Sequence, residues 1–310
     1  MPLHVNTPLI RSSFLSTDDR NVWMKMDALQ PAGSFKNRGI GAACELYVSG
    51  GAEKLVSSSG GNAGIATAYA GQQLGVPVTV VVPDNATETA KGAIRRFGGE
   101  VITEGSTWME AHTRAQDLAS GNAKLIHPFD DPNLWPGHAT IIDEVVAAGC
   151  VPDAVVLSVG GGGLLCGVAQ GLERNGLENV PILAVETHGA ASLNGAMAAG
   201  KPIMLDAIET VANTLGAKQV SDAAFQVTKN FNVFSHLVSD RQAVEACWQF
   251  LDQQRVLVEP ACGAALAALY ELADPLVDKQ NVLVIVCGGM GVTMAQMESW
   301  RSATSAVQGI

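Results

Sequence analysis

The sequence predicts an α/β protein with parallel, doubly wound sheets. Short apolar segments rich in β-branched residues alternate with Ala- and Leu-rich segments almost from end to end, which is the order expected of βαβ units. Several of the apolar segments carry no polar face, as strands covered by helices on both sides require. Glycines directly follow three of the predicted strands, at the turns where open α/β sheets bind ligands.

In the first half of the chain we predict three strands and two helices. The apolar segment 55–58 leads into an Ala-rich helix at residues 63–74, and the β-branched segment 78–82 follows directly. A shorter β-branched segment at 101–103 precedes a second helix at residues 108–120. Ala and Leu favour a helix because they lose little side-chain freedom there, whereas Val and Ile fit an extended strand better.

The second half of the chain continues the alternation. Helices are predicted at residues 138–148, which contain three Ala, and at residues 262–273, where Ala and Leu dominate. Strands are predicted at residues 154–159, 182–186 and 282–287, which are almost continuously apolar. An apolar helix is also expected directly after the first of these three strands.

Composition limits the classes of function. A chain of 310 residues suggests about two domains, or one large α/β domain with an embedded lobe. The 19 Lys and Arg against 30 Asp and Glu give a net charge of −11, which disfavours nucleic acid or an anionic membrane as the main partner. With 47% hydrophobic and 16% charged residues, the chain can build a large core. Only residues 201–232 lack a clear pattern, and we predict loops and short helices there.

The sequence shows neither an export signal nor a set of metal ligands. No apolar run approaches the roughly 18 residues of a membrane span, and the N-terminus lacks the basic start and apolar stretch of a signal peptide. No Cys/His cluster has the spacing of a zinc site. We therefore interpret the six cysteines as free thiols in a reducing cytoplasm. They are Cys44, Cys150, Cys166, Cys247, Cys262 and Cys287.

Four consecutive glycines, residues 160–163, stand between a predicted strand and an apolar helix. Consecutive glycines let backbone N–H groups face an anion, and the following helix adds the positive end of its dipole. The segment lacks the lysine of a P-loop and the G-x-G-x-x-G spacing of a dinucleotide site. Because a tight turn alone needs only one or two glycines, the pattern favours a phosphate site.

The other motifs are ambiguous by themselves. Residues 57–64 (SSSGGNAG) suit a carboxylate at a helix N-terminus, but a helix cap with a glycine-rich turn explains them equally well. A lysine such as Lys36, near a helix start, is usually a solvated surface residue. A buried cysteine such as Cys287 usually packs as a small hydrophobe, and the sequence offers no histidine base for it. Glu259-Pro260 predicts the start of a helix and nothing more.

Together and in order, these segments resemble the pyridoxal-phosphate-dependent serine/threonine dehydratases of fold type II, and most closely the short catabolic L-serine dehydratases. The resemblance covers almost the whole chain. The motifs that carry it are Thr7-Pro8, Gly33-Ser34-Phe35-Lys36, residues 58–64, Pro128-Phe129-Asp130-Asp131-Pro132, residues 160–165, Glu186-Thr187, residues 258–266 and residues 286–289.

The resemblance implies pyridoxal 5'-phosphate as the cofactor, with Lys36 as the catalytic Schiff-base lysine and Phe35 stacked on the cofactor ring. It implies that Asn62 bonds the phenolic oxygen and that Cys287, followed by Gly288, faces the pyridine nitrogen. A neutral thiol at that nitrogen makes the ring a shallow electron sink, which suits elimination better than transamination. The residues implied at the phosphate are Gly160, Gly161, Gly162, Gly163 and Leu164.

The resemblance also implies a substrate site and a cation site. The residues implied at the substrate carboxylate are Ser59, Gly60, Gly61, Asn62 and Ala63. Those aligned with a monovalent-cation site, for K⁺ or a similar ion, are Glu186, Ala190, Ser192, Leu215 and Ala217. Two positions depart from the family pattern: Thr214, where alanine or serine is common on the other ring face, and Met290, where serine or asparagine is usual.

The implied activity is β-elimination of L-serine, and of L-threonine, to pyruvate or 2-oxobutanoate and ammonia, that is, an L-serine ammonia-lyase. The implied architecture has two doubly wound α/β lobes with the cofactor in the cleft between them. Residues 32–131 would form the small inserted domain, and residues 1–31 and 132–310 the discontinuous large catalytic domain. Dimers are usual in similar proteins, so a homodimer is expected. A cytoplasmic location, a small amino acid as the substrate and no nucleic-acid or membrane partner are also expected.

Three alternatives share this scaffold. Serine racemase needs a second acid/base on the opposite ring face, which similar enzymes supply as a serine where this chain has Gly60. Cysteine synthase has a Thr-rich phosphate loop and a serine at the ring nitrogen, unlike residues 160–163 and Cys287. A non-catalytic ligand-binding protein would not need the intact Lys36, and it would not absorb visible light after purification.

Overall fold

The computed structural model describes residues 1–306, in which strands and helices alternate along most of the chain. The strands are β1 (Leu9–Arg11), β2 (Asn21–Lys25), β3 (Lys54–Ser57), β4 (Val78–Val82), β5 (Glu100–Thr103), β6 (Ala123–Ile126), β7 (Ala154–Ser158), β8 (Ile182–Thr187), β9 (Val233–Val238) and β10 (Asn281–Ile285). The helices are α1 (Lys36–Ser49), α2 (Asn62–Leu74), α3 (Glu88–Arg96), α4 (Trp108–Leu118), α5 (Trp135–Ala147), α6 (Gly163–Arg174), α7 (Ser192–Ala199), α8 (Asp222–Asn230), α9 (Asp240–Gln254), α10 (Pro260–Tyr270) and α11 (Met294–Ala306).

The strands form two sheets. A six-stranded sheet has the order β1-β2-β10-β7-β8-β9, and a four-stranded sheet has the order β5-β4-β3-β6. The larger sheet combines strands from both ends of the chain, because β10 pairs in parallel with both β2 and β7. The smaller sheet comes from one continuous stretch between β3 and β6. The proposed division at residues 32 and 131 stays a prediction, and each sheet falls on one side of it.

The α/β fold class is confirmed, with one local correction to the sheet. All six predicted strands form, with ends that differ by at most two residues, and so do the four predicted helices, with ends that differ by at most three. The sheets are parallel except at one edge, where β1 runs antiparallel to β2. Strands β1, β2, β6 and β9 were not predicted. Strands β1, β6 and β9 lie at sheet edges, and β2 has only three apolar residues between Asn21 and Lys25, so all four lack the long apolar run of a central strand.

Each sheet has its own hydrophobic core. The central strands of the larger sheet are completely buried at Val155, Val156 and Leu157. A second cluster packs α1 and α2 against the smaller sheet and includes Ile40 and Leu55. All six cysteines are buried and free. Within residues 1–306, none of the helices combines the length and the apolar character needed to cross a bilayer.

Candidate active site

The candidate active site lies where strands of both sheets end and their loops approach each other. Strand β3 ends before the serine loop (residues 57–64), β7 ends before the glycine loop (residues 160–163), and β10 ends before Cys287. The carboxyl ends of parallel strands form the usual ligand-binding edge of such sheets. The motifs identified in the sequence therefore come from distant parts of the chain to this edge.

Lys36 is positioned by a short pairing between its own segment and the loop after β10. Ser34 and Gly288 form an isolated antiparallel bridge. The Phe35 N–H donates to the Cys287 carbonyl at 3.0 Å, and the Gly289 N–H donates to the Gly33 carbonyl at 2.9 Å. Gly288 has a φ of +88°, and a Cβ there would lie 2.5 Å from the Gly33 carbonyl, so this close approach requires glycine. As a result, α1 starts with Lys36 beside Cys287.

The amine of Lys36 is held inside the cleft. Its Nζ donates to the Pro128 carbonyl and lies 5.0 Å from the centroid of the Phe35 ring. Burial lowers the pKa of this amine to about 8, and the nearby Cys287 and Glu259 oppose the shift only in part. A lowered pKa makes the neutral, nucleophilic form of the amine accessible near neutral pH. The bland interpretation of Lys36 as a solvated surface lysine is therefore wrong.

The glycine loop is packed so closely that side chains would not fit. A Cβ at Gly161 would lie 2.2 Å from the Phe129 ring, one at Gly162 would lie 2.2 Å from Ala224 Cβ, and one at Gly163 would lie 2.8 Å from the Phe129 carbonyl. To other residues in the described part of the chain, the amides of Gly160, Gly161, Gly162, Gly163 and Leu164 donate no hydrogen bond. Free N–H groups at the start of a helix such as α6 suit an anion, for example a phosphate.

The serine loop forms a second group of free amides, at the start of α2. Within the described residues, the amides of Gly60, Asn62 and Ala63 donate no hydrogen bond, and that of Gly61 reaches only Ser59 Oγ, at 3.3 Å. The adjacent Ser58 hydroxyl contacts His112 Nδ1 at 2.8 Å. Three free N–H groups at a helix N-terminus suit a carboxylate.

Asn62 connects this loop to the other side of the cleft. Its Nδ2 donates to Glu259 Oε1 at 2.7 Å, and its Oδ1 accepts from the Met290 N–H at 3.0 Å. Thr214 Oγ1 also donates to Glu259 Oε1, at 2.6 Å. The two positions that depart from the family pattern, Thr214 and Met290, therefore both belong to the network around Asn62. Met290 contributes through its backbone, so its apolar side chain does not prevent a polar contact.

Cys287 lies at the bottom of the cleft as a neutral thiol. It is only 5% exposed, and its hydrogen bond with Cys262 together with burial raises its pKa well above the ordinary value of a cysteine. A thiol with a raised pKa is a poor nucleophile, because the thiolate is the reactive form. This agrees with the absence of a histidine base among the described neighbours of this residue.

The predicted cation residues lie beyond the end of β8. Glu186 is buried and accepts from the Leu193 and Asn194 N–H groups at 2.8 Å each, while burial raises its pKa to about 7. In the described structure, the buried Ser192 hydroxyl has no hydrogen-bond partner. Leu215 lies on a separate loop that contacts the glycine loop, and its carbonyl accepts from the Ala217 N–H. No hydrogen bond joins the two groups in the part of the chain that the structure describes.

A buried network of ion pairs holds the first turn of α1, which contains Lys36. Arg38, two residues after Lys36, is completely buried and donates two hydrogen bonds to Asp27, at 2.7 and 2.9 Å. It also donates two to Glu144, at 2.7 and 2.8 Å. Lys25 Nζ pairs with the same Glu144 at 2.5 Å. The network fixes the start of α1 to β2 and α5.

The contacts form a closed ring around the cleft. Lys36 contacts Pro128, the neighbouring Phe129 packs on the glycine loop, and that loop contacts residues 214–215. Thr214 then connects through Glu259 to Asn62 and Met290, and the Met290 side chain returns to Gly33. The structure thus brings together Lys36, Phe35, Asn62, Cys287, Gly288 and both loops.

The sequence pattern predicts only a helix start at Glu259 and gives this residue no role in the site. The predicted helix start is confirmed, since Glu259 immediately precedes α10. Its carboxylate, however, belongs to the cleft. One signal was available: glutamate is not among the preferred N-cap residues, which are Ser, Thr, Asp, Asn and Gly.

Comparison with known proteins agrees with this geometry. Residues 1–288 match the family described as pyridoxal-phosphate dependent enzyme. The chain is 45% identical to mouse "Serine dehydratase-like" over 97% of its own length and 94% of that protein. It is 44% identical to human "L-serine dehydratase/L-threonine deaminase" over 97% and 95%. The crystal structure of a fungal L-serine ammonia-lyase from Rhizomucor miehei superposes with a TM-score of 0.92 at 35% identity, covering 97% of this chain and 99% of that one. The chain therefore belongs to the family of pyridoxal-phosphate-dependent enzymes.

Proposed function

We propose that this protein is an L-serine ammonia-lyase that also accepts L-threonine. The observation that carries the proposal is the closed ring of contacts that holds Lys36, the glycine loop and the serine loop around one cleft. An amine and two separate groups of free N–H donors are what a phosphorylated cofactor and an amino-acid carboxylate require together. The dehydratase names of the similar proteins support the same reaction.

The residues of the cleft fit pyridoxal phosphate. The free amides of the glycine loop would hold the phosphate, in a place where a Cβ at Gly161, Gly162 or Gly163 would meet Phe129 or Ala224. Lys36, Phe35, Asn62, Cys287 and Gly288 would hold the ring. When bound, the cofactor supplies a carbonyl that can condense with an amine and a conjugated ring that takes up the electrons of the substrate Cα–H bond.

Lys36 would bind the cofactor and move the substrate proton. Burial lowers its pKa from 10.5 to about 8, which raises the neutral fraction at neutral pH by roughly two orders of magnitude. A neutral amine is the form that acts both as nucleophile and as general base. Its contact with the Pro128 carbonyl holds Nζ in the cleft, ready to accept the Cα proton.

The serine loop would orient the substrate, and Cys287 would favour elimination. The free amides of Gly60, Asn62 and Ala63 would bind the carboxylate and leave Cα toward Lys36. The Cys287 thiol stays neutral, because hydrogen bonding with Cys262 and burial raise its pKa. A neutral partner does not stabilise a protonated ring nitrogen. The electrons of the Cα–H bond would therefore form a Cα=Cβ double bond while the β-hydroxyl takes up a proton and departs as water. Hydrolysis of the released 2-aminoacrylate would then give pyruvate and ammonia.

Gly60 argues against racemisation. It has no side chain that could deliver a proton to the second face, and a Cβ there would lie 3.3 Å from both Ala86 Cβ and Val82 Cγ1. The space next to Gly60 is therefore limited by the smaller sheet. We expect a protein that forms no measurable D-serine.

Steady-state kinetics test this function directly. Holoenzyme is incubated with L-serine, D-serine or L-threonine, and pyruvate or 2-oxobutanoate and ammonia are measured together with chiral analysis of the remaining serine. We expect turnover of L-serine and L-threonine, one ammonia per oxo acid, and no conversion to D-serine. D-serine appearing faster than pyruvate would favour the racemase alternative, and colourless protein without turnover would favour the ligand-binding one.

A monovalent cation is proposed at Glu186, Ala190, Ser192, Leu215 and Ala217. The unpartnered Ser192 hydroxyl beside the buried Glu186 carboxylate supports it. We expect K⁺ or NH₄⁺ to raise kcat/KM above the value in Na⁺ or in a large organic cation. We also expect Ser192→Ala to require more K⁺ for half activation. Rates that are equal in all four salts at fixed ionic strength would remove the cation from the proposal.

The homodimer, the cytoplasmic location and the exact boundaries of the two lobes stay predictions. Six buried free thiols support a reducing compartment. Sizing by light scattering would test the dimer without any assumption about activity.

A further inference from the structure

Glu259 stands at the N-terminus of α10 but does not cap that helix. It occupies the N-cap position before Pro260, and its side chain makes no hydrogen bond to the first turn. The carboxylate instead points into the cleft, where Oε1 accepts from Asn62 Nδ2 at 2.7 Å and from Thr214 Oγ1 at 2.6 Å. At 6% exposure it is a buried acid held by side chains from other elements.

These contacts fix the orientation of the Asn62 amide. An asparagine side chain has two N–H donors and one carbonyl acceptor. One N–H is donated to Glu259, and the carbonyl accepts from the Met290 N–H. A flipped amide would direct its oxygen at the carboxylate and its NH₂ at a backbone N–H, and both pairs are repulsive. One N–H of Asn62 remains for another acceptor.

We propose that Glu259 is a positioning residue, which locks the Asn62 amide so that its remaining N–H is offered to the phenolic oxygen of the bound cofactor. This inference rests on the proposed function, in which Asn62 contacts that oxygen. Glu259 would act only through Asn62 and would not touch the substrate. Thr214 would assist by donating to the same carboxylate oxygen.

The loop after β10 is shaped to leave space for this carboxylate. A Cβ at Gly289 would lie 2.1 Å from Glu259 Cδ and 2.2 Å from Oε2, and Gly289 has a φ of +137°. Glycine is therefore required there on two independent grounds. Because Asn62 starts α2 beside the smaller sheet and Glu259 starts α10 beside the larger one, the same lock connects the two sides of the cleft.

The surroundings of Glu259 shift the pKa of its carboxyl group. Burial raises its pKa to about 7, whereas hydrogen bonds from Thr214 and Asn62 and the charge of Lys36 oppose the shift. The other titratable groups that interact with it are the thiols of Cys247 and Cys287. The charged, strongly accepting form of the lock is therefore present above about pH 7 and is lost as the pH falls.

A double-mutant cycle between Glu259 and Asn62 tests the proposal. The affinity of the apoprotein for pyridoxal phosphate and the absorption spectrum of the holoprotein are measured for wild type, Glu259→Ala, Asn62→Ala and the double variant. We expect each single variant to bind the cofactor about tenfold more weakly and with a changed spectrum. The double variant should lose no more than Asn62→Ala alone, because Glu259 acts through Asn62. The proposal would be overturned if the losses of cofactor affinity in the two single variants multiplied in the double variant. It would also be overturned if Glu259→Ala kept the cofactor affinity and the spectrum of the wild type.

Two further variants and a control keep the result interpretable if Glu259→Ala does not fold. Glu259→Gln retains an acceptor for Asn62, so it should bind the cofactor within about threefold of wild type. Its spectrum should lose the wild-type transition near pH 7. Thr214→Val keeps the methyl group that lies 3.6 Å from the Cβ position of Gly61 but removes a hydrogen bond that lowers the pKa, so the transition should move to higher pH. The control is Gly291→Ala, because no described atom lies within 4 Å of its Cβ position.

The outcomes separate this inference from the proposed function. Cofactor affinity and absorption do not require turnover. Wild-type protein that binds pyridoxal phosphate but releases no pyruvate from L-serine would contradict the proposed function alone. Wild-type protein that turns over L-serine, together with independent losses for Glu259→Ala and Asn62→Ala in the double-mutant cycle, would contradict the positioning role alone.

Discussion

Lys36→Ala is expected to abolish both turnover of L-serine and the visible absorption of the holoprotein. The amine is the only lysine Nζ that the described structure shows over the Phe35 ring and against the Pro128 carbonyl, at the centre of the ring of contacts. Under the proposed function, the variant would have no covalent anchor for the cofactor and no base for the substrate proton. Loss of a general base alone costs roughly 10²–10⁴-fold in rate, so at least that loss is expected.

Pyruvate release and the visible spectrum are the measurements. Lys124→Ala is the matched control, because Lys124 is exposed on β6 and takes no part in the cleft. It should keep both properties. In the wild type, the rate at which apoprotein recovers its visible band with added cofactor should rise with pH around 8, since burial lowers the pKa of Lys36 to about 8. Lys36→Ala protein that releases pyruvate at the wild-type rate would refute the assignment.

Arg38→Met is expected to lower the free energy of unfolding by about 3–5 kcal/mol, the cost of leaving a buried ion without its partner. Methionine fills similar space, so the change removes charge rather than volume. Asp27, which is completely buried, would keep only the Thr7 hydroxyl, at 2.7 Å. Glu144 would still have Lys25. Because domains are stable by only about 5–15 kcal/mol, this is a large fraction of the total.

Urea unfolding of the apoprotein measures the effect without reference to catalysis. Arg95→Met serves as the control, because Arg95 pairs with Glu88 at 3.6 Å in an ion pair whose two side chains are 54% and 78% exposed. Its loss should change the free energy of unfolding by no more than about 0.5 kcal/mol. Equal unfolding midpoints for Arg38→Met and wild type would mean that the network contributes nothing to stability.

Local sequence patterns were sufficient to predict the central strands and the tightly packed glycine loop. Helices cover both faces of strands such as β4 and β7, so nearly all of their residues are apolar. A short run of consecutive apolar, β-branched residues in the sequence therefore indicates such a strand. The glycine loop was predicted for a similar reason. Side chains at Gly161, Gly162 and Gly163 would collide with Phe129 and Ala224, so the fold leaves a run of glycines in the sequence.

Edge strands and the roles of single polar residues could not be predicted in this way. Strand β9 lies at a sheet edge and is only partly buried, and its Ser235 and His236 interrupt the continuous apolar run that marks a central strand. Lys36 became a candidate only through the family resemblance, because one lysine near a helix start has no local pattern. The sequence predicts a helix start at Glu259, which is confirmed, but its carboxylate forms hydrogen bonds with Asn62 and Thr214 instead of capping the helix.

The sequence by itself therefore determined the α/β class, the central strands and the close-packed glycine loop, because in each case the constraint acts on neighbouring residues. Tertiary structure alone decided the contacts that make the site work. Ser34 meets Gly288 only because β10 inserts between β2 and β7, and Asn62 meets Glu259 across 197 residues of sequence. A buried polar group must find a partner, but no local spacing specifies which distant residue the packing of the sheets will bring to it.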